Sequence, residues 1–442
     1  MGNFKIRSIK YNFFMNLLLT GSSVFFPLVT FPLVSRALYS DMYGLCNWAA
    51  SVVSWLSLIA MLGVNRYGIR EVARNRDNEE RLVKVTVEIL VFTLCTTAIV
   101  YLCFAVSLFV VDDFAENRTL FLINSVTILC NTLGVGWFFQ GIEQYTYITV
   151  RGVAIKIASF ASIALLVHAP DDYLIYAAVT VLASGIANLV NFVYMTYTLK
   201  RVAISCLNKK NSTHHFFSAV RLCAKKAGGF AIKPHIRPML SFFIIAASIS
   251  IYTILDTVML GFLSTNQQVG YYSAAINIKA AIAGVVSALA GVLLPRASYM
   301  LANKNKQEYL SIIKKCTYFI ICSSVPLSVV LALMATPLLS WYAGADFAGA
   351  GPVLSIVALS IIPVGLSGVF CDSVMIPLGL ERYCVKIYIF AAVTNFAMNL
   401  FFIPILGAVG AAISTLTVEI IIALTEFMIV RGYIWGTKLR LE

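Results

Sequence analysis

Charge is what this sequence lacks most. Asp, Glu, Lys and Arg make up 12% of its 442 residues, where a soluble domain carries about a quarter. Hydrophobic residues make up 60%, and the mean hydropathy is +0.86. A chain this apolar cannot hide its surface in a water-soluble core, so lipid must be the solvent for most of it. There is no GxxxxGK[ST] phosphate loop, which argues against ATP hydrolysis by this chain. There is no CxxC or other metal spacing either. The ten cysteines lie singly, most inside apolar runs such as those around Cys95, Cys103, Cys130 and Cys322, and read as small buried hydrophobes. The four histidines offer no zinc spacing, and His214 and His215 are adjacent in a basic loop, so no metal is expected. The longest polar stretch, 200–237, is too short to form a core of its own.

Long apolar runs fill the rest. A spanning helix needs about twenty mainly apolar residues, and twelve such runs fall near 11–34, 44–66, 85–111, 119–140, 152–168, 173–199, 238–262, 271–295, 315–339, 352–378, 384–404 and 408–430. The first continues well past the apolar core of a signal peptide and reads as an uncleaved helix. The expected fold class is therefore an all-α membrane protein of about twelve transmembrane helices.

The loops orient it. With residue 1 in the cytoplasm, 30 of the 33 Lys and Arg fall in 1–10, 66–84, 151–156, 200–237, 296–315, 382–386 and 431–440, all on the cytoplasmic side. Arg36 and Arg118 alone lie in outward loops, and Lys279 lies within a span. This positive-inside pattern puts both termini in the cytoplasm. The net charge of +13 then reports topology and contact with anionic membrane lipids, and no nucleic-acid partner is implied.

The basic stretch divides the chain into an N-lobe (1–199), a cytoplasmic linker (200–237), a C-lobe (238–430) and a cytoplasmic tail (431–442). The halves echo each other. Leu38, Gly44 and Ala49-Ala50 resemble Leu263, Gly270 and Ala274-Ala275; the loop from Arg70 resembles that from Arg296; and Ala177–Leu182 matches Ala411–Leu416. Six helices per half make these parallel repeats about an axis along the membrane normal.

Ionisable side chains inside spans need a partner, an aqueous cavity or a function. Asp256 and Lys279 flank the outward loop 263–270 and sit roughly 10–13 Å below the outer surface at 1.5 Å per residue. A direct ion pair between them is feasible, either as a structural pair or facing a central cavity. Glu419 lies at mid-depth in the last helix, where it can serve packing or ion coupling. Asp372 and Glu88 are expected nearer the cytoplasmic ends, within reach of water. Arg36 ends the first helix, positioned to snorkel or to meet an anion. Pro27, Pro32, Pro326, Pro337, Pro363 and Pro377 lie in spans, where they bend helices.

Several segments carry a family resemblance: YGIREVARNRD (67–77), GWFFQGIEQYTYITVRG (136–152), KPHIRP (233–238), SIYTILDTVMLGFLSTNQQVGYYSAAINIK (250–279), LLPRASYML (293–301), PLGLERY (377–383) and GAVGAAISTLTVE (407–419). They resemble the bacterial O-antigen and exopolysaccharide flippases of the multidrug/oligosaccharidyl-lipid/polysaccharide exporter superfamily. The resemblance implies a MATE-like fold and a bacterial inner-membrane location. It also implies a substrate, an undecaprenyl-diphosphate-linked oligosaccharide turned from the cytoplasmic to the outer leaflet by alternating access. Arg36, Arg66, Arg70, Arg151 and Lys279 are the candidates to contact the diphosphate or sugars. Asp256, Lys279, Asp372 and Glu419 are the candidates for ion coupling or an intramembrane pair, with H+ or Na+ as the coupling ion and no other cofactor. Polysaccharide polymerase machinery is the implied protein partner.

Two other classes stay open at the level of sequence. A multidrug or metabolite antiporter would share the fold. A polytopic polymerase or ligase would need a large outward loop with paired charged residues, and the outward loops here are short. A channel would need a filter-like repeat, which is absent.

Overall fold

The computed structural model describes residues 9–206, 225–291 and 306–434. The segment 293–301, the loop from Arg296, the middle of the linker with His214 and His215, and the tail beyond 434 lie outside the described residues. Most of the described chain is helical, the form in which a backbone can satisfy every N–H and C=O within hydrocarbon. The principal helices are α1 (Ile9–Met61), α2 (Val64–Asn75), α3 (Glu79–Val110), α4 (Arg118–Leu133), α5 (Tyr145–Leu166), α6 (Tyr173–Cys206), α7 (Lys233–Leu263), α8 (Asn266–Gly291), α9 (Lys306–Leu333), α10 (Gly351–Leu359), α11 (Glu381–Leu406) and α12 (Ala408–Ile434). Among the described residues nine helical stretches are long and apolar enough to cross a membrane.

The first two expected spans form the two arms of α1, which breaks at Tyr39 (φ 54, ψ 179). A tyrosine in that region is strained. The second arm starts on a borrowed cap, with Ser40 N donating to Asp346 Oδ2 at 2.6 Å. The span expected over 152–168 begins earlier, at Tyr145, because the polar run from Tyr145 to Arg151 is helical too. The span expected over 352–378 is broken. It runs as α10, a short helix Ile361–Ser367 and a π-helical turn Gly368–Met375, and Pro363 accompanies that break.

The chain forms two compact units whose limits differ from the expected lobes. The first comprises Met1–Phe26 and Ala49–Ala247, the second Pro27–Trp48 and Ser248–Glu442. The part of each arm of α1 that adjoins the break at Tyr39 thus belongs with the second unit.

In the first unit the core gathers Tyr67, Val72, Leu82, Ile89, Trp137, Phe138, Phe139, Met195 and Met239. α2 is amphipathic. Val64, Tyr67, Gly68 and Val72 are buried, while Arg66, Arg70 and Arg74 are exposed. Its packing needs Gly68, whose Cβ would lie 2.5 Å from the Trp137 ring. α3 is started by Asn78, whose side chain accepts from Arg81 N at 3.0 Å, with Glu79 and Glu80 in the first turn.

In the second unit Phe31, Tyr43, Tyr342 and Phe347 form one aromatic cluster. Next to it two glycines meet reciprocally. A Cβ on Gly44 would lie 1.8 Å from Asn266 O, and one on Gly270 would lie 2.0 Å from Ser40 O. Ser40 and Asn266 each stand four residues before the glycine of their own helix, so the contact has two-fold form. These are the two glycines set side by side when the halves of the sequence are compared.

Among the described cysteines Cys46, Cys130, Cys316, Cys371 and Cys384 are buried, as expected, whereas Cys95, Cys103 and Cys322 are exposed.

Candidate functional site

The second unit buries a carboxylate completely. Asp256, from α7, is 0% exposed. Its Oδ1 accepts from Asn399 Nδ2 of α11 at 2.5 Å. Its Oδ2 accepts from Thr415 Oγ1 of α12 at 2.6 Å and from the Tyr272 hydroxyl of α8. Four helices therefore converge on one side chain. Asn399 Nδ2 also donates to Asn395 Oδ1 at 3.2 Å, while Asn399 Oδ1 and Asn395 Nδ2 are buried with no hydrogen-bond partner.

Lys279 does not pair with Asp256. Its Nζ lies 3.8 Å from Glu419 Oε1, one turn beyond Thr415 on α12. Sequence position fixes depth but not azimuth, and α12 supplies the nearer carboxylate. Both side chains are about nine-tenths buried, so removing either leaves a charge stranded.

Glu426, two turns further along α12, is also fully buried, a residue that sequence reasoning did not select. Its Oε1 lies 3.5 Å from the Tyr388 hydroxyl and its Oε2 has no hydrogen-bond partner. The signal was available: 415, 419 and 426 recur at helical spacing on one face of α12. Asp372 lies in the π-helical turn and is exposed. π-Turns of this kind concentrate at functional sites.

Arg36 is engaged within the second unit, its Nη2 donating to Trp341 O at 2.7 Å. In the first unit Arg66 and Arg70 stand on the exposed face of α2. The Arg70 guanidinium lies 5.2 Å from the Tyr67 ring centroid and 5.1 Å from that of Phe242, and pairs with Glu71 at 3.0 Å. Arg151 turns toward α6, where its Nη1 donates to Ala187 O at 2.5 Å and its plane approaches Tyr147 at 5.5 Å. Its Nε is buried without a partner.

Glu88 does not reach water. It is 1% exposed, its Oε1 accepts from Ala231 N at 2.6 Å, and its Oε2 lies 2.9 Å from His235 Nε2. His235 Nδ1 lies 2.5 Å from the Tyr67 hydroxyl. The chain entering α7 is thereby fastened to α2 and α3. The KPHIRP motif carried His235 as a resemblance only, without a partner.

The Asp256 cluster can hold its carboxyl in either protonation state. As an anion the group accepts three hydrogen bonds. With a proton on Oδ1, a flip of the Asn399 amide presents its Oδ1 as an acceptor. A flip of Asn395 then restores the bond between the two amides. No backbone motion is needed.

The family described as "Polysaccharide biosynthesis protein" matches residues 9–248. The chain belongs to that family. A second family, described as "Lipid II flippase MurJ", matches residues 139–439 of this polysaccharide biosynthesis family member. Two curated proteins named "Putative O-antigen transporter" match it nearly end to end. That of Shigella dysenteriae is 23% identical over 94% of this chain and 98% of its own. That of Escherichia coli K12 is 22% identical over 96% and 97%. Among solved structures, lipid II flippase MurJ in an inward closed conformation superposes with a TM-score of 0.71 at 16% identity, over 95% of this chain and 87% of that one. An inward-facing multidrug resistance MATE family transporter gives 0.61 at 12% identity, over 94% of each. The fold is MATE-like, and the protein is a multi-pass membrane transporter rather than an enzyme.

Proposed function

We propose that this member of the polysaccharide biosynthesis protein family is a flippase. Its substrate is an undecaprenyl-diphosphate-linked oligosaccharide, moved from the cytoplasmic to the outer leaflet of a bacterial inner membrane, with both termini in the cytoplasm. The observation that carries the reading is the lipid II flippase match. It spans 139–439 and so includes Asp256, Tyr272, Lys279, Asn399, Thr415 and Glu419 together. The near end-to-end O-antigen transporter relatives support the saccharide as cargo.

The physical task is to carry sugars and a diphosphate through about 30 Å of hydrocarbon, where each unsatisfied polar group costs several kcal/mol. The exposed Arg66 and Arg70 on α2 suit a first encounter with the diphosphate on the cytoplasmic side. Lys279, neutralised by Glu419 at rest, suits a later contact, and Arg36 and Arg151 are further candidates. An anionic head group leaving a negative-inside cell gains about 2.3 kcal/mol per charge per 100 mV. Uptake of H+ or Na+ at Asp256 resets the carrier in this scheme, the amide flips of Asn399 and Asn395 accommodating the change. Parallel six-helix repeats rocking about a common axis fit alternating access. Polysaccharide polymerase machinery is the partner that would receive the product.

Deletion in the native host, followed by analysis of lipid-linked sugars and surface polymer, tests the proposal. The expected result is loss of surface polymer, with undecaprenyl-linked repeat units accumulating on the cytoplasmic side. Unchanged polymer with raised drug sensitivity, in a host lacking a redundant exporter, would refute it in favour of an antiporter.

A further inference from the structure

Charge counting along the sequence puts Lys156 in a cytoplasmic loop. The structure puts it twelfth among the 22 residues of α5, at the middle of a membrane-length helix. Its Nζ donates to Ser22 Oγ at 2.9 Å and to Ser23 Oγ at 2.8 Å. Those serines lie midway along the first arm of α1 and, like Lys156, in the first unit. Both serine hydroxyls give their own protons to Leu19 O, at 2.7 and 3.0 Å. Their oxygens are thus free to accept, and they hold the ammonium in place without neutralising it.

An ammonium has three protons, and two are used here. Among the described residues no carboxylate lies within ion-pair distance of Lys156. Lys279 of the second unit, by contrast, has Glu419. The seam between α5 and α1 is tight on the N-terminal side of Lys156. Thr149 Oγ1 donates to Met15 O at 2.9 Å, and a Cβ on Gly152 would lie 3.1 Å from Leu19 Cδ1. At Lys156 it opens, since the lysine is only half-buried and Ser23 is exposed. Arg151 is five residues away, about 140° round the helix, and faces α6 instead.

A cation at mid-span with neutral anchors and no counter-ion is built to meet an anion that comes and goes. Depth decides which anion. The phosphates of resident lipids lie at the edges of the hydrocarbon, about 15 Å from its centre. Only a head group in transit reaches the middle. We propose that Lys156, held by Ser22 and Ser23, contacts the diphosphate of the polyprenyl carrier as it crosses. This rests on the flippase reading and adds a mid-membrane anion contact that the exposed arginines of α2 do not supply.

The test uses the full-length protein in nanodiscs of neutral lipid. It compares binding of undecaprenyl diphosphate with that of uncharged undecaprenol, for wild type, Lys156→Gln and Lys156→Arg. Wild type is expected to prefer the diphosphate. Lys156→Gln is expected to lose about tenfold or more of that preference, as befits one charged hydrogen bond, and Lys156→Arg to keep most of it. If Lys156→Gln retains the wild-type preference, the proposal is overturned while the flippase reading stands. If wild type does not distinguish the two lipids, both fall. Should Lys156→Gln fail to fold, acetylation of Lys156 in wild type, followed by mass spectrometry, decides. Protection by undecaprenyl diphosphate but not by undecaprenol is expected, and equal labelling with both overturns the proposal.

Discussion

Asp256→Ala and Asp256→Asn should separate folding from function. Alanine removes the acceptor for three donors, Asn399 Nδ2, Thr415 Oγ1 and the Tyr272 hydroxyl. Hydrogen bonds to a charged group contribute about 1.5–3 kcal/mol each, but these donors have fallbacks. Thr415 already lies 2.9 Å from Ala411 O, Tyr272 lies 2.9 Å from Thr415 Oγ1, and Asn399 reaches Asn395 at 3.2 Å. The truncation is therefore expected to cost about 2–4 kcal/mol, below the sum of three stranded bonds. Asparagine keeps the shape. With its oxygen toward Thr415 and Tyr272, its amide faces Asn399, whose unpartnered Oδ1 accepts it after a flip. Asp256→Asn should then lie within about 1 kcal/mol of wild type; on the proposal that Asp256 takes up the coupling ion, it should fail to restore surface polymer to a deletion strain, because it cannot titrate. Denaturant unfolding of purified protein and complementation read the two effects. Equal destabilisation by both variants would refute the flip argument, and full complementation by Asp256→Asn would refute a coupling role for Asp256.

Gly44→Ala and Gly270→Ala each drive a Cβ to within about 2 Å of a backbone carbonyl and should cost about 3 kcal/mol or more. Size-exclusion chromatography would show this as lost monodisperse yield, with Gly21→Ala, where nothing lies within 4 Å, as the unaffected control. Lys279→Met strands Glu419, so adding Glu419→Gln should recover about 1–3 kcal/mol in a double-mutant cycle on unfolding. His235→Ala breaks the bridge between Tyr67 and Glu88, and hydrogen exchange should rise over 225–239 while α12 stays protected.

Hydropathy and loop charge made the membrane class and most spans legible, because lipid imposes one composition over about twenty residues. What they missed has a common cause: helix azimuth and the reach of polar helix ends. Lys156 was hidden because Tyr145, Thr146, Thr149 and Arg151 read as loop but continue the helix. The Asp256–Lys279 pairing failed because two residues at one depth need not face each other when a third helix brings Glu419. Glu88 looked like a solvent-reaching end residue, yet the chain at 231–235 folds over it. The repeat made Gly44 and Gly270 comparable, but only coordinates show them in contact.

The assignment of Pro27–Trp48 to the second unit bears on how the protein is made. That hairpin is synthesised early, yet its anchors come late. Arg36 waits for Trp341, 305 residues on, and Ser40 for Asp346, 306 residues on. At about 5–20 residues per second, the interval is about 15–60 s. Throughout it the hairpin sits in the bilayer with Arg36 unbonded to its acceptor and Tyr39 without the contact that stabilises its strained turn. A helper at the insertion site, or transient pairing with the helices that follow it in the first unit, has to shield it. Variants that weaken this docking should therefore lower the amount of protein that accumulates, even where the finished molecule is stable.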